Sequence, residues 1–179
     1  MLRMVLTYGV ISGLVIVVSI IGAFVASQYG LAHTRPWFGY LIMLVALSSI
    51  LVGVKQYRDQ ALGGVIKFRT GLMLGLGIAA VAAVAYVLVW EIYLAMTHYS
   101  FIGRYVEVTL AEKRAAGVTG AAYAKVVAQM EDLRRRYANP LFRVPITFAE
   151  IFSEGFLIAL VSAILLRNPK FLPARSRPA

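Results

Sequence analysis

The sequence contains a run of twenty uncharged residues, 71–90, followed directly by Glu91. At about 1.5 Å per residue, twenty residues of α-helix span about 30 Å, the thickness of the hydrocarbon core of a bilayer. Trp90 ends the run with the kind of side chain that anchors helices at a membrane interface. The run therefore predicts a transmembrane helix, around which the rest of the chain is interpreted.

Three further apolar runs are long enough to cross a bilayer. The first is about twice as long as the apolar region of a signal peptide, which favours a retained span. The composition agrees, since 60% of the residues are hydrophobic and the mean hydropathy is +0.77, too apolar for an ordinary soluble domain. We predict a single all-α transmembrane domain, residues 1–179, with four spans near 4–27, 37–55, 69–97 and 146–167.

The one sizeable polar segment, residues 98–144, predicts an extramembrane amphipathic helical hairpin between spans three and four. Gly117 divides the segment in two. Apolar residues in its second half recur at the i, i+3, i+4, i+7 spacing of a helix face. These are Tyr123, Val126, Val127, Met130, Leu133 and Tyr137. We expect this hairpin to lie on, or cap, a four-helix bundle.

Three consecutive arginines, residues 134–136, lie near the end of this second helix. Glu131 precedes Arg135 by four residues and Asp132 precedes Arg136 by four, the favourable orientation for helical ion pairs. We expect two of the arginines to be paired on the helix surface, and binding of a phosphate or head group is the alternative.

Local signals predict where helices begin and end. Residues 92–108 contain no proline, and Gly103 is their only glycine. The near absence of helix-breaking residues predicts that the third helix continues beyond the membrane. Thr147 and Glu150 match a capping box and predict the start of the fourth helix. A short interfacial helix is expected after the glycine pair 63–64.

Small residues recur every four positions on spans three and four. In lipid, such faces allow close backbone contact, which is a main source of helix association. We therefore predict that these two spans pack directly and antiparallel. The packing residues are Gly71, Gly75, Ala79 and Ala83 on span three, and Gly155, Ala159 and Ala163 on span four.

The net charge of +10 is carried by the segments that flank the apolar runs. That distribution favours membrane lipids with anionic head groups as partners, and not nucleic acid. The candidate head-group contacts are Lys67, Arg69, Arg167 and Lys170. Residues 55–70 hold four basic residues and residues 28–36 hold one, which favours cytoplasmic termini. We expect 55–70 to be a solvated loop, with a docking site for lipid or a partner as the alternative. Residues 168–179 are expected to form a basic, disordered tail.

Carboxylates inside the spans are the main candidates for a functional site. The topology places Glu91, Glu150 and Glu154 at one membrane face, and Glu154 is expected to face the interior close to Glu91. The other ionisable residues predicted there are His98, His33, Arg35 and Arg143. The cluster could bind a proton, a cation or a cationic group of a ligand. Alternatively, it is an ion-pair network with Arg35 or Arg143 that holds spans three and four in register, with Glu150 as a helix cap.

The residue inventory excludes several kinds of site. There is no cysteine and there are two histidines, which excludes thiolate chemistry and a three-histidine metal site within one chain. No phosphate-binding loop, zinc-protease or nucleophile-elbow motif occurs. We therefore expect no metal, no cofactor and no enzymatic activity.

Three functions stay open. The first is a structural or accessory subunit that assembles through its glycine and alanine faces, with copies of itself or other membrane subunits. The second is a small carrier or channel component that uses the carboxylate cluster. The third is a membrane enzyme acting on a lipid-linked substrate in a lateral cleft lined by His98, Glu91 and Arg143.

The order of motifs along nearly the whole chain resembles one family. The motifs are YGVISG at 8–13, residues 39–47, KQYRD at 55–59, GGVIKF at 63–68, GL at 71–72, Tyr86, WE at 90–91, NPLFR at 139–143 and TFAE at 147–150. They resemble the bacterial membrane family catalogued as domain of unknown function 4199. That family has Ala-Phe where this chain has Arg69-Thr70. The resemblance implies four spans in a bacterial inner membrane, and it implies no activity.

Overall fold

The computed structural model describes residues 1–28 and 44–174. Within these residues it contains six α-helices and no β-strand, as the all-α prediction requires. The helices are α1 (Leu2–Gln28), α2 (Ser49–Ala61), α3 (Phe68–Met96), α4 (Ser100–Ala115), α5 (Gly120–Ala138) and α6 (Pro140–Leu166).

Three of the described helices are long and apolar enough to cross a membrane, namely the Leu2–Ser19 part of α1, α3 and α6. Helix α3 coincides with the predicted third span to within one residue at each end. The predicted second span begins outside the described residues. Its described part is helical at 44–47, and α2 continues to Ala61, past the expected end of the span.

The chain divides into two compact units. The first unit comprises the described residues of Met1–Tyr86 and Phe148–Ala179. The second unit is Val87–Thr147, with the end of α3, helices α4 and α5, and the start of α6.

Helix α3 packs against α6 in the first unit through small residues. A Cβ atom added to Gly75 would lie 2.7 Å from the Cβ of Ala159, and one added to Gly155 would lie 2.6 Å from the Cβ of Ala79. Real Cβ atoms do not approach so closely, so these backbones touch only because the side chains are absent. The residue numbers rise on one helix as they fall on the other, which makes the two helices antiparallel.

Another side of α3 packs against α1 in the same way. A Cβ at Gly9 would lie 2.5 Å from the side chain of Val81, and one at Gly13 would lie 2.7 Å from the Cβ of Ala85. Here the residue numbers rise together, so α1 and α3 are parallel.

Helix α2 runs antiparallel to α1, and polar side chains join the two helices. The hydroxyl of Tyr8 donates to the side-chain oxygen of Gln56, and the hydroxyls of Ser12 and Ser49 are hydrogen-bonded. Polar groups that are withdrawn from water cost free energy unless they are hydrogen-bonded, and here they bond to each other. The start of α1, the end of α2, the start of α3 and the end of α6 therefore lie at the same end of the first unit.

Helix α3 ends at Met96 and does not continue beyond the predicted span, because the chain makes a tight turn centred on His98. The φ angles of His98 and Tyr99 are 50° and 55°, in the left-handed region. The amide of Tyr99 donates to the carbonyl of Leu94 (2.8 Å), and that of His98 to Ala95 (3.2 Å), the pattern of a Schellman motif. Glycine usually occupies the position that His98 has here. The sequence therefore contains no glycine to mark the end of the helix, and the predicted continuation of α3 beyond the membrane is wrong.

Helix α6 begins at Pro140, so the capping-box prediction at Thr147 is wrong. Proline suits the first helical position because its missing N–H has no partner there anyway. The side-chain oxygen of Asn139 accepts a hydrogen bond from the amide of Leu141 (2.9 Å) and supplies the cap. Thr147 lies inside the helix and is 5% exposed.

The connection between α2 and α3 contains no interfacial helix, contrary to the prediction. Gly63 and Gly64 have φ angles of 67° and 95°, which other residues adopt only with strain. Ile66 follows them and is 2% exposed. The connection is thus anchored in the core of the first unit by Ile66.

Helices α4 and α5 form an antiparallel pair in the second unit. Gly117, with φ 78°, lies in their connection. The guanidinium of Arg114 lies 4.9 Å from the centre of the Tyr123 ring near this connection. At the other end the ring centres of Phe101 and Tyr137 are 6.4 Å apart.

The ion pairs on α5 lie on its surface. The predicted pair of Asp132 and Arg136 is present, with 2.7 Å between a carboxylate oxygen of Asp132 and Nε of Arg136. Glu131 lies 3.8 Å from Arg134, so its predicted pairing with Arg135 is wrong. Exposed pairs of this kind contribute little stability.

Candidate functional site

The second unit is centred on an ion pair between Glu91 of α3 and Arg143 of α6. The Nε of Arg143 donates to one carboxylate oxygen of Glu91 (2.7 Å) and Nη2 to the other (2.6 Å). The Arg143 side chain is 5% exposed and that of Glu91 is 28% exposed. Such a two-bond geometry is the strongest that an arginine makes with a carboxylate.

Arg143 also holds the end of α5. Its Nη1 donates to the backbone carbonyl of Tyr137 (3.0 Å). The guanidinium carbon lies 5.1 Å from the ring centre of Tyr99 and 5.8 Å from that of Tyr137, within the range of cation–π attraction. One side chain thus contacts α3, α5, and the turn between α3 and α4.

Aromatic rings surround this pair. The indole N–H of Trp90 donates to the hydroxyl of Tyr137 (2.8 Å), and Trp90 meets Phe101 edge to face with 4.8 Å between ring centres. Burial raises the pKa of Tyr137 above its ordinary value, although the hydrogen bond from Trp90 opposes this. The phenol therefore stays protonated, and the rings shield the Arg143 side chain of the pair from water.

A cleft of about 420 Å³ lies beside Arg143. Its lining residues are Leu94, Tyr99, Ile102, Arg134, Tyr137, Ala138, Pro140 and Arg143. The lining includes Arg143 but neither His98 nor Glu91, the other residues of the predicted lateral cleft.

The other members of the predicted polar cluster are not part of this ion pair. Glu150 and Glu154 belong to the first unit, where Glu150 is exposed and Glu154 is half-buried. Neither carboxylate has a hydrogen-bond or ion-pair partner in the part of the chain that the structure describes. His98 is exposed in the turn after α3. Arg35, like His33, lies outside the described residues.

A second buried arginine, Arg58 of α2, was missed by the sequence analysis. Its side chain is 0% exposed. Its Nε donates to Asp59 (2.7 Å), and its two terminal nitrogens donate to the backbone carbonyls of Phe171 (2.9 Å) and Leu172. Arg58 thus fastens the segment after α6 to the end of α2.

This arrangement corrects two predictions. Residues 55–70 are not a uniformly solvated loop, because α2 continues to Ala61 and buries Arg58. Residues 168–174 include a turn in which the amide of Phe171 donates to the backbone carbonyl of Asn168 (3.0 Å). The side chain of Phe171 packs against the core of the first unit. The last part of the predicted tail, 175–179, lies outside the described residues.

A signal for Arg58 existed in the sequence. Ile50, Val54 and Arg58 are spaced four residues apart, and all three are 0% exposed. Extending the core face of the second helix by one turn would have placed Arg58 on it.

Asp59, near the end of α2, forms ion pairs with two cations, Arg58 and Lys55. Besides its bond from Arg58, it accepts a hydrogen bond from the Nζ of Lys55 (2.5 Å). Burial alone would raise the pKa of Asp59, but the hydrogen bonds and charges of Arg58 and Lys55 outweigh burial and lower it. Asp59 and Lys55, with Tyr8 and Gln56, line part of a cleft of about 600 Å³.

Of the four predicted head-group contacts, Lys67, Arg69 and Arg167 line a single notch of about 710 Å³. Lys170 is exposed and is not part of its lining. Among the described residues, no group of three histidine, aspartate or glutamate side chains lies close enough to hold a metal ion.

Comparison with known proteins gives one result. Residues 7–168 match the model of a family described as "protein of unknown function (DUF4199)". No curated protein and no solved structure matches the chain. Since the match covers most of the 179 residues and agrees with the motif order, this chain belongs to the DUF4199 family.

Proposed function

We propose that this protein is a non-catalytic accessory subunit of a bacterial inner membrane, with four spans and both termini in the cytoplasm. The observation that carries the proposal is that the guanidinium of Arg143 is fully engaged in contacts between helices. Two of its nitrogens bond to Glu91, a third bonds to the carbonyl of Tyr137, and rings flank it. The buried polar groups of the second unit thus join helices, which is what a scaffold requires.

The surface that would contact other subunits differs from the one expected from the sequence. The face of α3 with Gly75 and Ala79 and the face of α6 with Gly155 and Ala159 pack against each other within this chain. Assembly with a partner subunit or a second copy would therefore use other surfaces.

A second candidate, a carrier or channel component, is favoured by Glu154. This residue is half-buried in α6, a helix that can span a membrane, and has no partner within the described residues. A carboxylate in a span is costly unless it has a role, and binding a proton or cation is such a role.

Reconstitution of the purified protein into liposomes distinguishes the two candidates. An accessory subunit alone should give proton and potassium fluxes equal to those of protein-free liposomes, and Glu154→Gln should change nothing. Extraction from native membranes in mild detergent should give a complex larger than one chain. A flux that Glu154→Gln abolishes, in a variant that still folds, would overturn the accessory-subunit proposal and support the carrier.

A further inference from the structure

We propose that the first unit binds the head group of one anionic phospholipid in the notch between the start of α3 and the end of α6. Three cationic side chains line this notch, Lys67, Arg69 and Arg167. The proposal rests on the membrane location of the protein and is independent of whether it is an accessory subunit or a carrier.

The packing of α3 on α6 fixes two of these cations at one end of the unit. Arg69 lies in the first turn of α3 and Arg167 directly follows α6. Just inside them, a Cβ at Gly71 would lie 3.5 Å from the Cα of Ala163. The close contact between α3 and α6 therefore also keeps Arg69 and Arg167 near each other.

The third cation is positioned by the connection to α2. Ile66, the residue before Lys67, is 2% exposed and belongs to the core cluster of the first unit. Burial of this neighbour limits where the backbone of Lys67 can move. The notch is therefore formed before any ligand arrives, which lowers the entropic cost of binding.

These cations differ from the buried arginines in having no counter-charge. Lys67, Arg69 and Arg167 are exposed, and none has an ion-pair or hydrogen-bond partner in the part of the chain that the structure describes. Like charges that share a notch repel one another. An anion seated among them would remove this repulsion and gain charge-assisted hydrogen bonds.

The location selects a lipid as the source of that anion. Helices α3 and α6 are both candidate spans, and the notch lies where one begins and the other ends, so it lies at the depth of phosphate groups. One turn deeper, Met73 and Ile164 are 68% and 56% exposed. They offer apolar surface to the acyl chains of a lipid whose phosphate occupies the notch.

Native mass spectrometry of the full chain, titrated with phosphatidylglycerol in detergent, tests the proposal. The double variant Arg69→Gln/Arg167→Gln removes two charges from the notch. The matched control Arg3→Gln/Lys125→Gln removes two exposed charges outside its lining. We expect one tightly bound lipid per chain, an affinity lowered about tenfold or more in the notch variant, and a change of less than about twofold in the control.

Two lipid comparisons and a second variant complete the test. Phosphatidylcholine should bind more weakly than phosphatidylglycerol, and soluble glycerol phosphate should not displace the bound lipid. If the double variant fails to fold, Lys67→Gln, which changes a residue outside any helix, should lower the affinity about threefold. Equal losses in the notch and control variants, equal binding of phosphatidylcholine, or displacement by glycerol phosphate would each overturn the proposal. Such a failure would leave the flux measurement, and the function it tests, untouched.

Discussion

The two units of this protein hold their helices together by different interactions. In the first unit, Gly75 of α3 lies against α6, and Gly9 of α1 lies against α3. At both glycines the neighbouring helix is so close that a Cβ atom would not fit. In the second unit, Arg143 and Glu91 join the helices within a shell of aromatic rings.

The difference shows which changes each unit can tolerate. Contact between small residues needs no directional partner and works in lipid, where the hydrophobic effect between helices is absent. It fails only when volume is added. A buried ion pair depends on direction and on both partners, so it fails when either partner is removed.

Breaking the ion pair should give the largest effect. In Arg143→Gln, the carboxylate of Glu91 loses both hydrogen bonds and the carbonyl of Tyr137 loses its donor. Removing one partner of a buried pair costs about 3 kcal/mol or more. Hydrogen exchange should rise in peptides from α4 and α5, while peptides from α1 and α2 change little.

The matched control for this variant is Arg136→Gln, which breaks the exposed pair with Asp132. Its cost should be less than about 1 kcal/mol. Equal exchange in the two variants would show that Arg143 does not hold the second unit together.

Adding volume to the small-residue contact should give the next largest effect. A leucine in Gly75→Leu would collide with Ala159 and Ile50, and overpacking typically costs about 1–3 kcal/mol. The thermal midpoint in detergent should fall, with increased exchange in the first unit. Gly103→Leu is the control, because a Cβ there has no neighbour within 4 Å. If both variants melt together, the close contact is not a source of stability.

A smaller effect, of opposite sign, is expected at the turn that presents Tyr99 to Arg143. A non-glycine residue in the left-handed region costs about 1–2 kcal/mol, and His98 has φ 50°. His98→Gly should stabilise the second unit by about 0.5–1 kcal/mol, since the flexibility of glycine offsets part of the gain. Thr97→Gly should destabilise it, because the Thr97 hydroxyl donates to the carbonyl of Tyr93 (2.9 Å). A loss of stability in His98→Gly would show that the imidazole has another role there.

The smallest effect concerns pH and the first unit. The pKa of Asp59 is lowered in the folded protein, so its contribution is fully present above the unfolded value of about 4 and is lost as pH falls through the folded value. Wild type should be more stable than Asp59→Asn at pH 7, and the difference should shrink below about pH 4. A difference that is constant down to pH 2 would show that the charge of Asp59 is unimportant.

The sequence by itself determined the membrane class and most of the helices. Hydrophobic length and spacing are local properties, and they gave α3 to within one residue and the division at Gly117 between α4 and α5. The glycine and alanine spacing on spans three and four also predicted a direct contact, since a smooth helix face has few other uses in lipid.

Only the tertiary structure decided what the charged residues do. Glu91 and Arg143 are 52 positions apart, and no local pattern shows which of several cations a carboxylate will meet. Arg58 is buried because α2 continues past the expected span and the segment after α6 folds back to supply Phe171 and Leu172 as acceptors. A buried charge needs partners that arrive from distant parts of the chain, whereas apolar length is a local property, and this is why the sequence determined the long apolar helices but not the ion pairs.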